Sequence, residues 1–262
     1  MPYNSIQISI KYLRYLKQSK TRYRVHSPFV FSLIENVLRR QPPFYAFKKI
    51  EQWRDKLFED KTELNVKEFG AGSRVSKSKL VRDIAETAVS SQNQSEWLFG
   101  LANYFKAKTI VELGTSVGVS TAYLAAASKT SWVYTFEGNE ELIEIATEGW
   151  QKLKIRNVEA VVGDIDIQLP KFLGALKTKI DLVYLDANHT YEATINYFNQ
   201  LKPFLDSDSM VIVDDIHWSE GMEKAWFELK NDEQVSISID LFYKGLLFFR
   251  SDIEEEHFVL RI

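Results

Sequence analysis

Between residues 109 and 230, short apolar, β-branched runs alternate with stretches of helical periodicity. The runs are TIVEL, VYTFE, VEAVVG, IDLVYLD and MVIVDD, and the expected helices span 119–128, 139–153, 166–176, 190–202 and 219–230. Strands apolar on both faces, each followed by a helix, require a parallel sheet covered on both sides. The C-terminal part departs from this pattern. VSISIDLFY and LLFFR, separated by Lys244-Gly245, read as two strands joined by a tight turn, so the sheet should finish with an antiparallel pair. The expected fold class is therefore α/β, a doubly wound and mostly parallel sheet.

Residues 1–95 have a different character. They carry 18 Lys and Arg against 9 Asp and Glu, whereas residues 96–262 carry 15 against 27. No glycine precedes Gly70, and four of the six prolines fall within the first 43 residues. These shifts suggest a helical N-terminal region over 1–95 and a second domain over 96–262. Ile6, Ile10, Leu13 and Leu16 recur at helical spacing. Ser27-Pro28 reads as a helix start leading to Phe31, Ile34 and Leu38. Further helices are expected over 46–58 and from about Ser78 to Val89, with a break at Phe69–Ser73 between them. Lys11, Arg14, Lys17, Lys20, Arg22 and Arg24 form a basic front that suits either nucleic acid or a helical layer docked on the acidic second region. The docked layer is the preferred reading.

Composition excludes several chemistries. With 0 cysteines there is no disulfide, thiolate zinc site, iron–sulfur cluster or cysteine nucleophile. No apolar run approaches the roughly 18 residues of a membrane span, and the first residues lack a signal-peptide core, so the expected location is cytoplasmic.

In a parallel α/β sheet, ligands sit at the carboxyl ends of the strands. The first strand ends in ELGTSVGVS, where Gly114 and Gly118 let the chain turn sharply and approach a ligand closely. The second ends at Glu137, 23 residues after Gly114, where an acid can bind a ribose diol. The third ends at Gly163-Asp164; Asp164 either accepts from an adenine amino group or caps the next helix. The fourth and fifth end in DANHTYE and DDIHW, which deliver Asp186, His189, Asp214, Asp215 and His217 to one edge of the sheet. Carboxylates there are costly unless paired, hydrogen-bonded or bound to a cation. His217 reads as a helix-start residue, and Trp218 and Trp226 as cover for the sheet.

These motifs, in this order over residues 97–250, resemble the class I S-adenosylmethionine-dependent methyltransferases, a Rossmann-like fold. ELGTSVGVS is similar to the E-x-G-x-x-x-G-x-S motif of the cation-dependent O-methyltransferases, with Ser116 where many other methyltransferases carry glycine. DANHTYE is similar to their D-x-x-K/H-x-Y segment and DDIHW to their D-N/D segment, with His189 in place of Lys and Asp215 in place of Asn. EFGAGS (68–73) and VHSPFVF (25–31) are similar to segments of a bacterial subgroup. The resemblance implies that S-adenosylmethionine is bound by Glu112, Gly114, Thr115, Ser116, Gly118, Ser120, Glu137, Gly163, Asp164 and Asp186. It also implies that Asp186, Asp214 and Asp215 ligate Mg²⁺ or Ca²⁺, unless Asp186 meets the donor and one of the pair caps a helix.

The expected activity is methyl transfer to a hydroxyl, or an amine, of a small molecule. His189 and Asp186 are the candidate catalytic groups. His189 lies three residues past Asp186, where related enzymes place a basic residue, and histidine is the side chain suited to general-base work near neutral pH. The 70–79 loop, with Ser73, Arg74, Lys77 and Lys79, is a candidate contact for an anionic acceptor. The expected partner is a small-molecule acceptor rather than nucleic acid or membrane, and a homodimer is compatible with the sequence. Two other classes remain open: a catalytically silent S-adenosylmethionine-binding module, and an RNA-directed methyltransferase using the basic front.

Overall fold

A computed structural model describes residues 2–39, 44–67 and 76–262. The expected break at 69–73, with EFGAGS and Arg74, lies outside the described residues. In chain order the first elements are helices α1 (Ser5–Gln18), α2 (Pro28–Leu33) and α3 (Tyr45–Glu59), strands β1 (Glu63–Lys67) and β2 (Ser76–Leu80), and helices α4 (Val81–Ala88) and α5 (Gln92–Tyr104). The alternating part follows as β3 (Thr109–Leu113), α6 (Val119–Ala126), β4 (Trp132–Glu137), α7 (Glu140–Leu153), β5 (Val158–Val162) and α8 (Ile165–Ala175). It continues as β6 (Leu182–Leu185), α9 (Tyr191–Leu201), β7 (Met210–Asp214), α10 (Glu220–Lys230), β8 (Ile237–Asp240), β9 (Lys244–Phe248) and β10 (Glu256–Val259). The fold class is the expected α/β one with mostly parallel strands.

The chain forms two compact units, Met1–Arg40 with Thr178–Ile262, and Gln41–Lys177. This partition differs from a boundary near residue 95: the first 40 residues go with the C-terminal part, and 41–95 with the first strands of the sheet.

In the unit Gln41–Lys177, β3, β4 and β5 pair in parallel. Strand β3 is almost wholly buried, as an apolar run in a covered sheet should be. Phe47, Ile50, Trp53 and Leu57 of α3 pack into one core with Tyr123, Ala146 and Trp150. The hairpin β1–β2 corrects the all-helical expectation for this stretch. Leu64 and Val66 alternate inward from a charged strand, while the helix expected from Ser78 begins only at Val81 because SKSKL is committed to pairing with ELNVK.

In the other unit, β6 and β7 pair in parallel, β9 runs antiparallel to both β7 and β8, and β10 lies parallel to β8. The antiparallel finish is as expected, but Lys244-Gly245 is not its turn. Both residues are inside β9, and the turn is Leu241–Tyr243, closed by Leu241 N–H donating to Lys244 O at 2.9 Å. Phe242 takes φ +72° there, its N–H donating to Asp240 Oδ1 at 2.8 Å. Gly245 is required in the strand by packing, since a Cβ would lie 2.4 Å from the Trp226 ring. Trp226 thus covers the sheet as expected, whereas Trp218 is exposed.

Helix α1 forms where expected, with Asn4 and Gln7 in a capping box. Its apolar stripe is not the buried face: Ile6 and Leu13 are 72% and 65% exposed, and Tyr15 is buried instead. Tyr12 and Tyr15 pack on Phe242, the Tyr15 hydroxyl donates to Leu260 O, and Tyr3 N–H donates to Trp218 O at 2.9 Å. The basic front is in part committed: Lys11 pairs with Glu223 at 2.6 Å and Arg22 with Glu35 at 2.9 Å. No helix among the described residues is long and apolar enough to cross a membrane.

His217 anchors the same contact. Its ring nitrogens lie 3.0 Å from Glu223 Oε1 and 2.9 Å from Asp240 Oδ2, and the ring stacks on Phe242. Burial alone would lower its pKa; the hydrogen bonds and charges of Asp240 and Glu223 outweigh that and raise it from 6.5 to about 9. Burial would raise Glu223, but hydrogen bonds from His217, Lys11 and Tyr3 lower it from 4.5 to about 2. The stability carried by a raised histidine is complete below pH 6.5 and drains as pH rises through about 9. That carried by a lowered carboxylate is complete above pH 4.5 and drains as pH falls toward about 2. The melting temperature should therefore fall between pH 6.5 and 9, and His217→Gln should flatten that fall in a thermal-unfolding series. An equal decline in the variant would show that other groups carry it.

Candidate active site

The turn after β3 is built on left-handed backbone. Gly114, Ser116 and Gly118 have φ of +102°, +48° and +79°. Gly114 N–H and Thr115 N–H both donate to Phe136 O, at 3.0 and 3.1 Å, which binds the turn to the end of β4. Gly118 caps α6, and a Cβ there would lie 2.6 Å from Ala146 and 2.8 Å from Trp150, so the position cannot carry a side chain. Ser116 is the exception, a non-glycine residue held left-handed, the kind of local strain that gathers at functional sites.

Glu137 closes the turn. Its carboxylate accepts from Ser116 N–H at 2.9 Å and Asn139 N–H at 3.0 Å. Burial pushes it above the usual carboxylate range, against the lowering effect of those N–H donors. Glu112 is fully buried in β3, accepting from the Thr121 hydroxyl at 2.5 Å and the Thr135 hydroxyl at 2.7 Å, and burial raises its carboxyl too. The Thr115 side chain is turned into the same buried network, 2.6 Å from the Thr135 hydroxyl. Ser120 lies half-buried in the first turn of α6. Gly163 is left-handed at φ +125°, and Asp164 Oδ1 caps α8 by accepting from Asp166 N–H at 3.0 Å. Among the described residues, Glu112 Oε1 and Ser116 Oγ are buried without a hydrogen-bond partner. Such atoms are costly unless a ligand or water satisfies them.

In the other unit, the ends of β6 and β7 carry the acidic cluster. Asn188, His189 and Asp215 all have positive φ, at +61°, +40° and +54°. His189 lies between two carboxylates, Nε2 3.6 Å from Asp186 Oδ1 and Nδ1 3.9 Å from Asp215 Oδ2. These spacings are within ion-pair range but longer than hydrogen bonds. Asp214 faces inward. Its Oδ2 accepts from Lys244 Nζ at 2.6 Å and from the Tyr184 hydroxyl, and its Oδ1 from Asp215 N–H at 3.0 Å. Tyr184 OH also lies 2.9 Å from Asp186 Oδ2 and accepts from Lys244 Nζ at 2.9 Å.

The charges follow from this packing. Burial, and then the neighbouring charge of Asp214, pushes Asp186 well above the usual carboxylate range. Burial pushes Asp214 up as well, but the Lys244 ammonium and its hydrogen bond outweigh it and hold Asp214 low. Burial and the Asp214 charge raise Asp215. Asp186, His189, Asp214 and Asp215 are thus brought together as the sequence suggests, and His217 stands apart in its own ion pairs. Lys244 and Tyr184 were not foreseen. The available signal was a lysine heading an apolar strand, opposite an aspartate in the β7–β9 register.

Residues 111–216 match the family described as "Methyltransferase domain". This segment is similar to methyltransferase domains. It contains the Gly114–Gly118 turn, Glu137, Gly163, Asp164 and the cluster from Asp186 to Asp215. The chain is 29% identical over 146 residues to an O-methyltransferase of Aspergillus hancockii, and 30% identical over 136 residues to a catechol O-methyltransferase of Mycobacterium tuberculosis. Those alignments cover 53% and 51% of this chain, and 56% and 59% of the relatives. The chain thus spans under two thirds of the length of the curated relatives it matches. A methyltransferase of Podospora anserina, solved with S-adenosylhomocysteine bound, superimposes with a TM-score of 0.59 at 15% identity, covering 96% of this chain and 98% of that one. The chain has the Rossmann-like fold that the resemblance implies.

Proposed function

We propose that the chain transfers a methyl group from S-adenosylmethionine to a hydroxyl oxygen of a small molecule. The observation that carries this reading is the left-handed turn from Gly114 to Gly118, tied to Glu137 through Ser116 N–H. The residues suit the donor. The bare turn admits close approach, Glu137 retains acceptor capacity for ribose hydroxyls, and Ser116 Oγ is a buried atom in need of a partner. Gly163 and Asp164 lie at the end of β5, where an adenine amino group has an acceptor. Glu112 and Thr115, by contrast, act from within, bracing the turn rather than touching the donor. S-adenosylmethionine, when bound, supplies the electrophilic methyl.

On the acceptor side, the hydroxyl has to lose a proton as its oxygen attacks. His189, flanked by Asp186 and Asp215, takes it; the carboxylates stabilise the imidazolium that results. The two curated relatives bear O-methyltransferase names, one of them for catechol, and this supports an oxygen acceptor. The direct test is thermal unfolding with S-adenosylmethionine and S-adenosylhomocysteine. A ligand bound only by the native state adds about 2.7 kcal/mol at a hundredfold excess over its dissociation constant, a clear upward shift. No shift with either ligand would remove the proposal. A shift without turnover on any phenolic or alcoholic acceptor would leave a silent binding module.

A further inference from the structure

The enzymes that this sequence resembles place a divalent cation among the carboxylates at the ends of the fourth and fifth strands. The corresponding residues here do not fit one. We propose that the Lys244 ammonium is the resident cation of this cluster and stands in for the metal ion. The inference rests on reading the Asp186–Asp215 cluster as the acceptor side of a methyltransferase.

Lys244 lies opposite Asp214 in the antiparallel register of β7 and β9, so the two side chains share one face of the sheet. Its side chain is 1% exposed, and Nζ bonds Asp214 Oδ2 at 2.6 Å and Tyr184 OH at 2.9 Å. With Asp215 N–H on Oδ1, both oxygens of Asp214 already have donors. A divalent hard cation needs six or more oxygen ligands at about 2.0–2.6 Å, some of them charged carboxylates. It would have to share Asp214 with an ammonium bonded to the same oxygen. Among the described residues, no group of three or more Asp, Glu or His side chains is arranged to hold a metal ion.

Lys244 also has a positioning role. By donating to both Asp214 Oδ2 and Tyr184 OH, it fixes the tyrosine that bridges Asp214 and Asp186. Asp186 is in turn one of the two carboxylates beside His189. A buried ammonium with its donors engaged offers no open coordination position to an acceptor oxygen. Activation of the acceptor therefore falls to a side chain.

The test is a titration of the full chain with Mg²⁺, Ca²⁺ and Mn²⁺, read by calorimetry and, for Mn²⁺, by electron paramagnetic resonance. We expect no saturable binding below about 1 mM, the weak end of protein Ca²⁺ sites. Lys244→Met exposes the three carboxylates to one another. It should melt lower than wild type and regain part of the loss on adding Ca²⁺ or Mn²⁺, a rescue that a purely structural lysine would not give. Saturable Mn²⁺ binding by the wild type that Asp214→Asn abolishes would overturn the proposal, and so would a folded Lys244→Met chain that no cation rescues. If Lys244→Met does not fold, the wild-type titration decides alone. Neither readout needs turnover, so a failure to bind S-adenosylmethionine would sink the proposed function while leaving this inference to be judged on the metal.

Discussion

Gly114→Val is expected to abolish S-adenosylmethionine binding in calorimetry while the chain still folds. Gly114 sits at φ +102°, a backbone region that a β-branched residue reaches only with strain. Holding a side chain there costs on the order of 1–3 kcal/mol. The turn relieves that strain by rotating Gly114. The rotation withdraws the Gly114 and Thr115 N–H groups from Phe136 O and carries Ser116 N–H away from Glu137. Both the open turn and the position of Glu137 are then lost together. Gly118→Val is a poorer probe, because its Cβ would collide with Ala146 and Trp150 and damage the core directly. Far-ultraviolet circular dichroism of Gly114→Val separates the two effects. A folded Gly114→Val chain with normal donor affinity would show that the donor binds elsewhere.

The strands and helices from Thr109 to Lys230 were legible because β3, β6 and β7 are buried almost throughout, and even the more exposed β4 and β5 keep a short β-branched run between polar helix starts. The structure moves their ends by only a residue or two. The hairpin β1–β2 was not legible. Each of its strands spreads its few apolar residues among charges, and SKSKL runs straight into a helix with no turn residue between. The turn at Leu241–Tyr243 carries no turn chemistry either; Phe242 is held left-handed by an N–H bond to Asp240, while the Lys-Gly pair that looks like a turn lies in the strand under Trp226. Periodicity in α1 revealed an apolar stripe but not what covers it. Tyr15 and the ion pair of Lys11 with Glu223 fix the helix, leaving Ile6 and Leu13 outside. The site divides in the same way. Asp186, His189, Asp214 and Asp215 could be read because strand ends converge in any parallel α/β sheet. Lys244 and Tyr184 depend on side-chain directions and on the register of β9 against β7, a long-range pairing that composition does not encode.

His189→Gln should lower the methylation rate by roughly 10²–10⁴-fold while donor affinity stays close to wild type. The substitution keeps a polar side chain of similar reach but removes the basic nitrogen. His189 is suited to the task by position. It stands in the left-handed turn after β6 with an aspartate side chain facing each ring nitrogen, so an imidazolium formed during the reaction has an acidic partner on either side. The competing base is Asp186. Burial and the charge of Asp214 push its carboxyl well above the usual range, which makes it a stronger base than an ordinary aspartate once it has lost its proton. The two assignments separate in the pH–rate profile. If His189 takes the proton, the large loss of rate appears in His189→Gln, and Asp186→Asn weakens the reaction less. If Asp186 takes it, His189→Gln keeps the wild-type rate and profile, and the loss appears in Asp186→Asn instead. In that case the raised carboxyl titrates upward into its active form, and activity climbs with pH through its elevated pKa.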